Sequence, residues 1–136
     1  MLACLFVKSK EVLLSLSNGL LVVVDTVSLK VVQVFGMEHP VNDHLFLADT
    51  WLLMVAGPYP QVSFVDMRTE QTVSKIALSG VPLVQIMDDS LFCYTHNAIT
   101  KWNYKTQELV NELAVKYEVL KLKATASGLL VYQASG

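Results

Sequence analysis

The chain has 136 residues, 53% of them hydrophobic and 16% charged, with a formal net charge of −2. That length suits one domain able to bury roughly two thirds of its unfolded surface, and so apolar a composition excludes intrinsic disorder. Lys and Arg are scattered, which leaves no basic face for phosphates and excludes nucleic acid as a partner; no apolar run approaches the roughly 20 residues that span a bilayer, so no membrane partner is expected.

The low charge also implies that something outside the chain covers part of the apolar surface. The apolar start, Met1 to Val7, has no basic residue before it and is followed by Lys8 and Lys10, so it does not read as a signal peptide. Cys4 and Cys93 lack metal-binding spacing, and no Asn-x-Ser/Thr sequon is present. A reducing compartment follows, cytoplasmic or nuclear.

Short runs of strand-forming residues recur along the chain with turn residues between them, the pattern of an all-β fold. Strands are expected at Leu2 to Val7, Glu11 to Leu16, Leu20 to Val24 and Lys30 to Phe35, with Asn18-Gly19 as a two-residue hairpin turn. The cycle repeats at Val41 to Leu47, Trp51 to Ala56, Val62 to Val65 and Thr72 to Leu78, then at Leu83 to Met87, Leu91 to Thr95, Ala98 to Trp102 and Leu109 to Leu113. A fourth cycle supplies two strands, Glu118 to Lys123 and Leu129 to Gln133.

Superposing the cycles on Asp25, Asp66 and Asn103 aligns three apolar positions. Leu21, Val62 and Ile99 precede the turn; Val32, Val73 and Val110, then Phe35, Ile76 and Leu113, follow it. Ser28, Thr69 and Thr106 sit three residues after each Asx. Asx side chains fix such turns by accepting backbone N–H bonds two residues on. A period of roughly 40 residues suits four-stranded units. Thr106 to Tyr117 alone also fits a capped amphipathic helix with Leu109, Val110 and Leu113 on one face. The repeat register favours a strand there.

These strand-turn-strand units, each with an Asx at the end of its third strand, resemble degenerate WD repeats, the family of WD40-like β-propellers. Val24-Asp25, Val65-Asp66 and Trp102-Asn103 stand where Trp-Asp is usual, and Gly36-Met-Glu-His39 stands for the Gly-His that opens a repeat. The Asp-Gly turn has counterparts in Asn18-Gly19 and Asn97-Ala98, and Thr95 and Trp102 are what remains of the family's buried polar network. The resemblance implies β-propeller blades over residues 1–136: about three and a half four-stranded antiparallel units, near 1–36, 37–78 and 79–114, with a partial one at 115–136. Three and a half blades do not close a ring. A longer propeller, a second copy or a partner's strands would complete it.

No catalytic constellation emerges. His39, His44 and His96 do not converge at metal-binding spacing, Asp88-Asp89 reads as a solvated turn, and no phosphate-binding Gly-rich loop is present. No enzyme, metal or cofactor is expected. The resemblance places partner-binding loops at Gly36 to Pro40, Gly57 to Gln61, Ser79 to Pro82, His96-Asn97 and Val115 to Tyr117. Their candidate contact residues are His39, Pro58, Tyr59, Pro60, His96, Asn97 and Tyr117. Tyr59 is the leading one, since an exposed Tyr between two prolines orders at little entropic cost. His39 also reads as a plain turn residue, and Trp51 and Trp102 as packing residues within strands. The expected function is a non-catalytic protein–protein interaction scaffold. The alternatives are an assembly unit that completes a ring with a second copy or partner chain, and part of a propeller-based enzyme or ligand-binding domain whose site lies elsewhere.

Overall fold

The computed structural model describes residues 3–8, 10–37, 44–49 and 51–134, with side chains from residue 10 onward. Fourteen strands form four antiparallel sheets, and no helix occurs among the described residues. The first sheet holds β1 (Ala3–Lys8), β2 (Glu11–Ser15), β3 (Leu20–Asp25) and β4 (Val31–Gly36) in sequential order. The second holds β5 (His44–Asp49), β6 (Leu52–Ala56), β7 (Gln61–Asp66) and β8 (Gln71–Ala77). β9 (Leu83–Met87), β10 (Ser90–Thr95), β11 (Ala98–Asn103) and β12 (Glu108–Ala114) form the third, and β13 (Val119–Thr125) with β14 (Gly128–Gln133) the last.

Each expected strand has its counterpart, and the segment that also fits a helix is β12, a strand throughout. The expected start of the fifth strand at Val41 lies outside the described residues. Trp51 is a correction. It sits in the turn before β6, 42% exposed, with the Arg68 guanidinium 5.8 Å from its ring centroid. A bulky apolar run hid a turn whose backbone is held by Met67 N–H donating to the Trp51 carbonyl at 2.9 Å.

The Asx turns share one geometry. Asp25 Oδ1 accepts the N–H groups of Val27 and Ser28 at 2.8 and 2.9 Å, Asp66 Oδ1 accepts that of Arg68 at 2.8 Å, and Asn103 Oδ1 accepts those of Lys105 and Thr106 at 3.0 and 3.2 Å. Four residues after each Asx the backbone turns left-handed, at Leu29 (φ 56°), Glu70 (62°) and Gln107 (62°). These side chains pay a small conformational penalty that the repeated turn overcomes.

The chain divides into two compact units, one of residues up to 58 with 62–75, the other of 59–61 with residues from 76 onward. In the first, Leu13, Leu21, Val23 and Phe35 of one sheet pack with Leu45, Leu53, Val55, Val65 and Met67 of the next. Burying each such aliphatic side chain contributes roughly 1.5–3 kcal/mol. In the second, Ile99, Val119 and Leu122 form the buried centre, with Phe92, Leu129 and Val131 half-buried around it.

Candidate binding cleft

In the second unit, three connections meet at one end of the sheets: Ser79 to Pro82 before β9, His96-Asn97 between β10 and β11, and the segment between β12 and β13. The β10–β11 turn is tight because both central residues are left-handed, His96 at φ 45° and Asn97 at φ 64°, a conformation that Asn adopts readily. This turn holds both neighbouring connections. His96 Nε2 lies 2.8 Å from the Ser79 carbonyl, and the Asn97 carbonyl accepts Val115 N–H at 2.9 Å. Thr95, buried, shares a 3.3 Å hydroxyl contact with Ser79, and Tyr94 donates its hydroxyl to Asn97 Oδ1 at 3.4 Å. Gly80 leaves room for the imidazole: a Cβ there would stand 2.8 Å from His96 Nε2 and push the ring aside.

The meeting of these connections leaves a cleft of about 310 Å³ lined by Val81, Pro82, Leu83, Tyr94, Thr95, His96, Glu118, Val119 and Leu120. Val81 and Leu120 are 58% and 59% exposed. Two aliphatic side chains that no other part of the second unit covers thus stand beside a Pro and a Tyr. Glu118 is the one carboxylate of the lining, and His96 the one imidazole. Tyr117, next along the chain, is 38% exposed with Lys116 Nζ 5.3 Å from its ring centroid. Exposed Val81, Leu120, His96 and Glu118 surround buried Pro82, Thr95 and Val119, a mixed apolar and polar lining that suits a peptide or protein surface.

Of the residues singled out from sequence, His96 lines the cleft, Asn97 and Tyr117 adjoin lining residues, and His39 lies outside the described residues. Pro58, Tyr59 and Pro60 do not line it. Tyr59 is half-buried rather than exposed, a correction: Gln61 N–H donates to the Tyr59 carbonyl at 2.8 Å, closing a three-residue turn about Pro60 where an open display was expected. Trp102 is half-buried, and its indole donates to Thr100 at 2.9 Å rather than to Thr95. Of the other lining residues, Val81 falls within the expected loop Ser79 to Pro82, whereas Glu118 and Leu120 lie just past the expected loop Val115 to Tyr117. The available signal was Val81-Pro82, an aliphatic residue in a turn segment where no strand could bury it.

Among the described residues no group of three His, Cys, Asp or Glu side chains could hold a metal ion. Cys93 is fully buried, and that burial pushes its thiol up to about 12, so it is no nucleophile. In the first unit Asp49, Trp51, Leu52, Asp66 and Arg68 line a second cleft of about 330 Å³, where Arg68 grips Asp66 through Nη2 at 3.0 Å and Nε at 3.2 Å.

The WD40 β-propeller domain of Doa1 superposes on this chain with a TM-score of 0.79 at 13% identity, over 96% of this chain and 46% of that one. The fold is that of WD40 propeller blades. Hydrazine synthase of Kuenenia stuttgartiensis gives a TM-score of 0.77 at 17% identity over 96% of this chain and 41% of its own. The WD40 repeats of RRP9 give 0.70 at 10% identity, over 89% and 41%. The chain therefore spans less than half the length of each of these structures. No protein-family model matches the sequence, and no curated protein is similar to it in sequence.

Proposed function

We propose that the chain is a propeller segment acting as a non-catalytic protein-interaction scaffold, and that its partner docks in the cleft between Val81 and Leu120. The observation that carries this reading is the pairing of those two exposed aliphatic side chains in one cleft beside His96 and Glu118. Such a site gains affinity by burying a partner's apolar anchor. WD40 domains among the similar structures support an interaction role, as does the loop-built position of the cleft.

The test is quantitative affinity purification with the wild-type chain, Val81→Asp, Leu120→Asp and, as a control away from the cleft, Trp51→Ala. Proteins that copurify with the wild type and with Trp51→Ala, and fall at least tenfold with either cleft variant, are the expected result. Recovery that both cleft variants leave unchanged would refute the assignment of the cleft.

A second reading is completion of the β13–β14 sheet by strands from elsewhere. Leu113 favours it. This residue is 61% exposed, whereas its equivalents Phe35 and Ile76 are 5% and 3% exposed.

A further inference from the structure

In the first unit the hairpin β5–β6 is followed by β7, and there Val65 and Met67 share a core with Leu21 and Phe35 of the preceding sheet. The second unit has the residues equivalent to Leu21 and Phe35, which are Ile99 and Leu113. Beside them stands the hairpin β13–β14, with no third strand among the described residues. What remains is a groove of about 250 Å³ along Phe92, Ile99, Leu113, Leu129 and Val131. Lys101 and Glu112 also line it, and their opposite charges leave this side without a net demand for a charged occupant.

The backbone of β14 offers what a third strand needs. Ala134 N–H donates to the Glu118 carbonyl at 2.9 Å. Bonded and non-bonded pairs alternate along an antiparallel ladder, so Leu130 and Tyr132 direct their backbone groups to β13, while Leu129, Val131 and Gln133 direct theirs outward. Leu53 and Val55, equivalent to Leu129 and Val131, use the same groups to hold β7 opposite Val65 and Ser63. The register shift in the β13–β14 ladder falls between Val119 and Lys121, so the extra residue, Leu120, is in β13 and β14 itself is regular. β14 also carries no charge and no proline, the other devices that blunt an edge.

We infer that β14 takes up an extended segment of a partner protein that alternates aliphatic with acidic residues. Paired antiparallel with β14, the segment lays its aliphatic side chains on Ile99 and Leu113, as β7 lays Val65 in the first unit. Its alternate side chains fall on the opposite face, where Lys121, Lys123, Leu130 and Tyr132 are all exposed. β13 and β14 hold these two lysines and no acidic residue, so acidic side chains complement that face. This rests on the reading of sheet completion, and the groove shares no residue with the cleft beside Val81.

Fluorescence anisotropy with labelled synthetic peptides tests it. A peptide alternating Val with Glu is expected to bind the wild-type chain, and one alternating Val with Lys to bind roughly tenfold less tightly. Lys121→Glu/Lys123→Glu should reverse that preference. Leu113→Asp, at a site 61% exposed in the folded chain, should abolish binding that Val81→Asp leaves intact. N-methylation of the peptide's valines, whose N–H groups face β14 in this register, should also abolish binding, and N-methylation of its glutamates should not. Equal binding of the two peptides would overturn the acidic partner while leaving sheet completion standing. Binding of neither, or binding that N-methylated valines retain, would overturn both. A dimer of the chain alone in sedimentation velocity that Leu113→Asp dissociates would put a second copy in the groove and overturn the partner.

Discussion

Two aspartates at equivalent turns are the most exposed point of this fold to acid. Backbone N–H groups of Ser28 and then Val27 hold the Asp25 carboxyl below the usual carboxylate range; for Asp66 the Arg68 side chain does most and the Arg68 backbone N–H adds to it. A folded-state value below the unfolded one means stability is fully present above the unfolded value and is lost as pH falls through the folded one. The thermal midpoint should therefore drop between about pH 5 and pH 3, and drop less in an Asp25→Asn/Asp66→Asn double variant, which keeps the Oδ1 acceptors as Asn103 does. Equal pH slopes in the two proteins would contradict this. For Cys93 the sign is reversed: burial raises the thiol, so its contribution is present below the unfolded thiol value and lost as pH rises past it. Iodoacetamide should label Cys93 in urea and spare it in the native chain, read by mass spectrometry; equal labelling would mean it is not buried. At Gly80 the 2.8 Å approach of a new Cβ to His96 predicts that Gly80→Ala displaces the imidazole from the Ser79 carbonyl. A loss of about 1 kcal/mol in urea denaturation and a shifted His96 ring resonance are expected. The Asx turns were legible in sequence because they are short-range chemistry. The left-handed Leu29, Glu70 and Gln107 were not, since nothing about a Leu, Glu or Gln announces φ above zero.

For the strands, the ambiguity lay in β12. Its own residues allow a helix, and only alignment with β4 and β8 turns it into a strand, because pairing with β11 supplies the backbone bonds a helix would have supplied internally. Val110, 56% exposed, separates the two directly. In a strand Val110→Ala should lower stability by up to about 1 kcal/mol, whereas in a helix the same change should raise it; chemical denaturation reads the sign. The cleft was legible only in part. His96 and Asn97 announced themselves through their turn, but Val81 comes from the connection before β9, and Glu118 and Leu120 from the start of β13 and the residue before it, far apart in sequence. Their convergence depends on how β9 and β13 pack, which no local pattern records. At Tyr59 the flanking prolines suggest an open display, whereas the residue is half-buried.

Across the whole chain, the period of roughly 40 residues made the all-β propeller architecture readable even though no Trp-Asp is intact. The register of buried positions does the same work as the motif, since Leu21, Val62 and Ile99 are all buried. The core this register builds is unforgiving: Leu53→Ala, at a fully buried site in the first unit, should lower stability by roughly 2–5 kcal/mol. Where the register breaks, at Leu113, the sheet alongside has two strands rather than four. The functional proposal rests on the cleft of the second unit, and photo-crosslinking reaches it most directly. With p-benzoylphenylalanine at position 120, the chain should form a covalent adduct with a discrete partner protein in cells, and that adduct should disappear when Val81→Asp is added. The same group at position 51 should give no such adduct. An identical adduct from position 51, or one from position 120 that survives Val81→Asp, would contradict the cleft as the binding site.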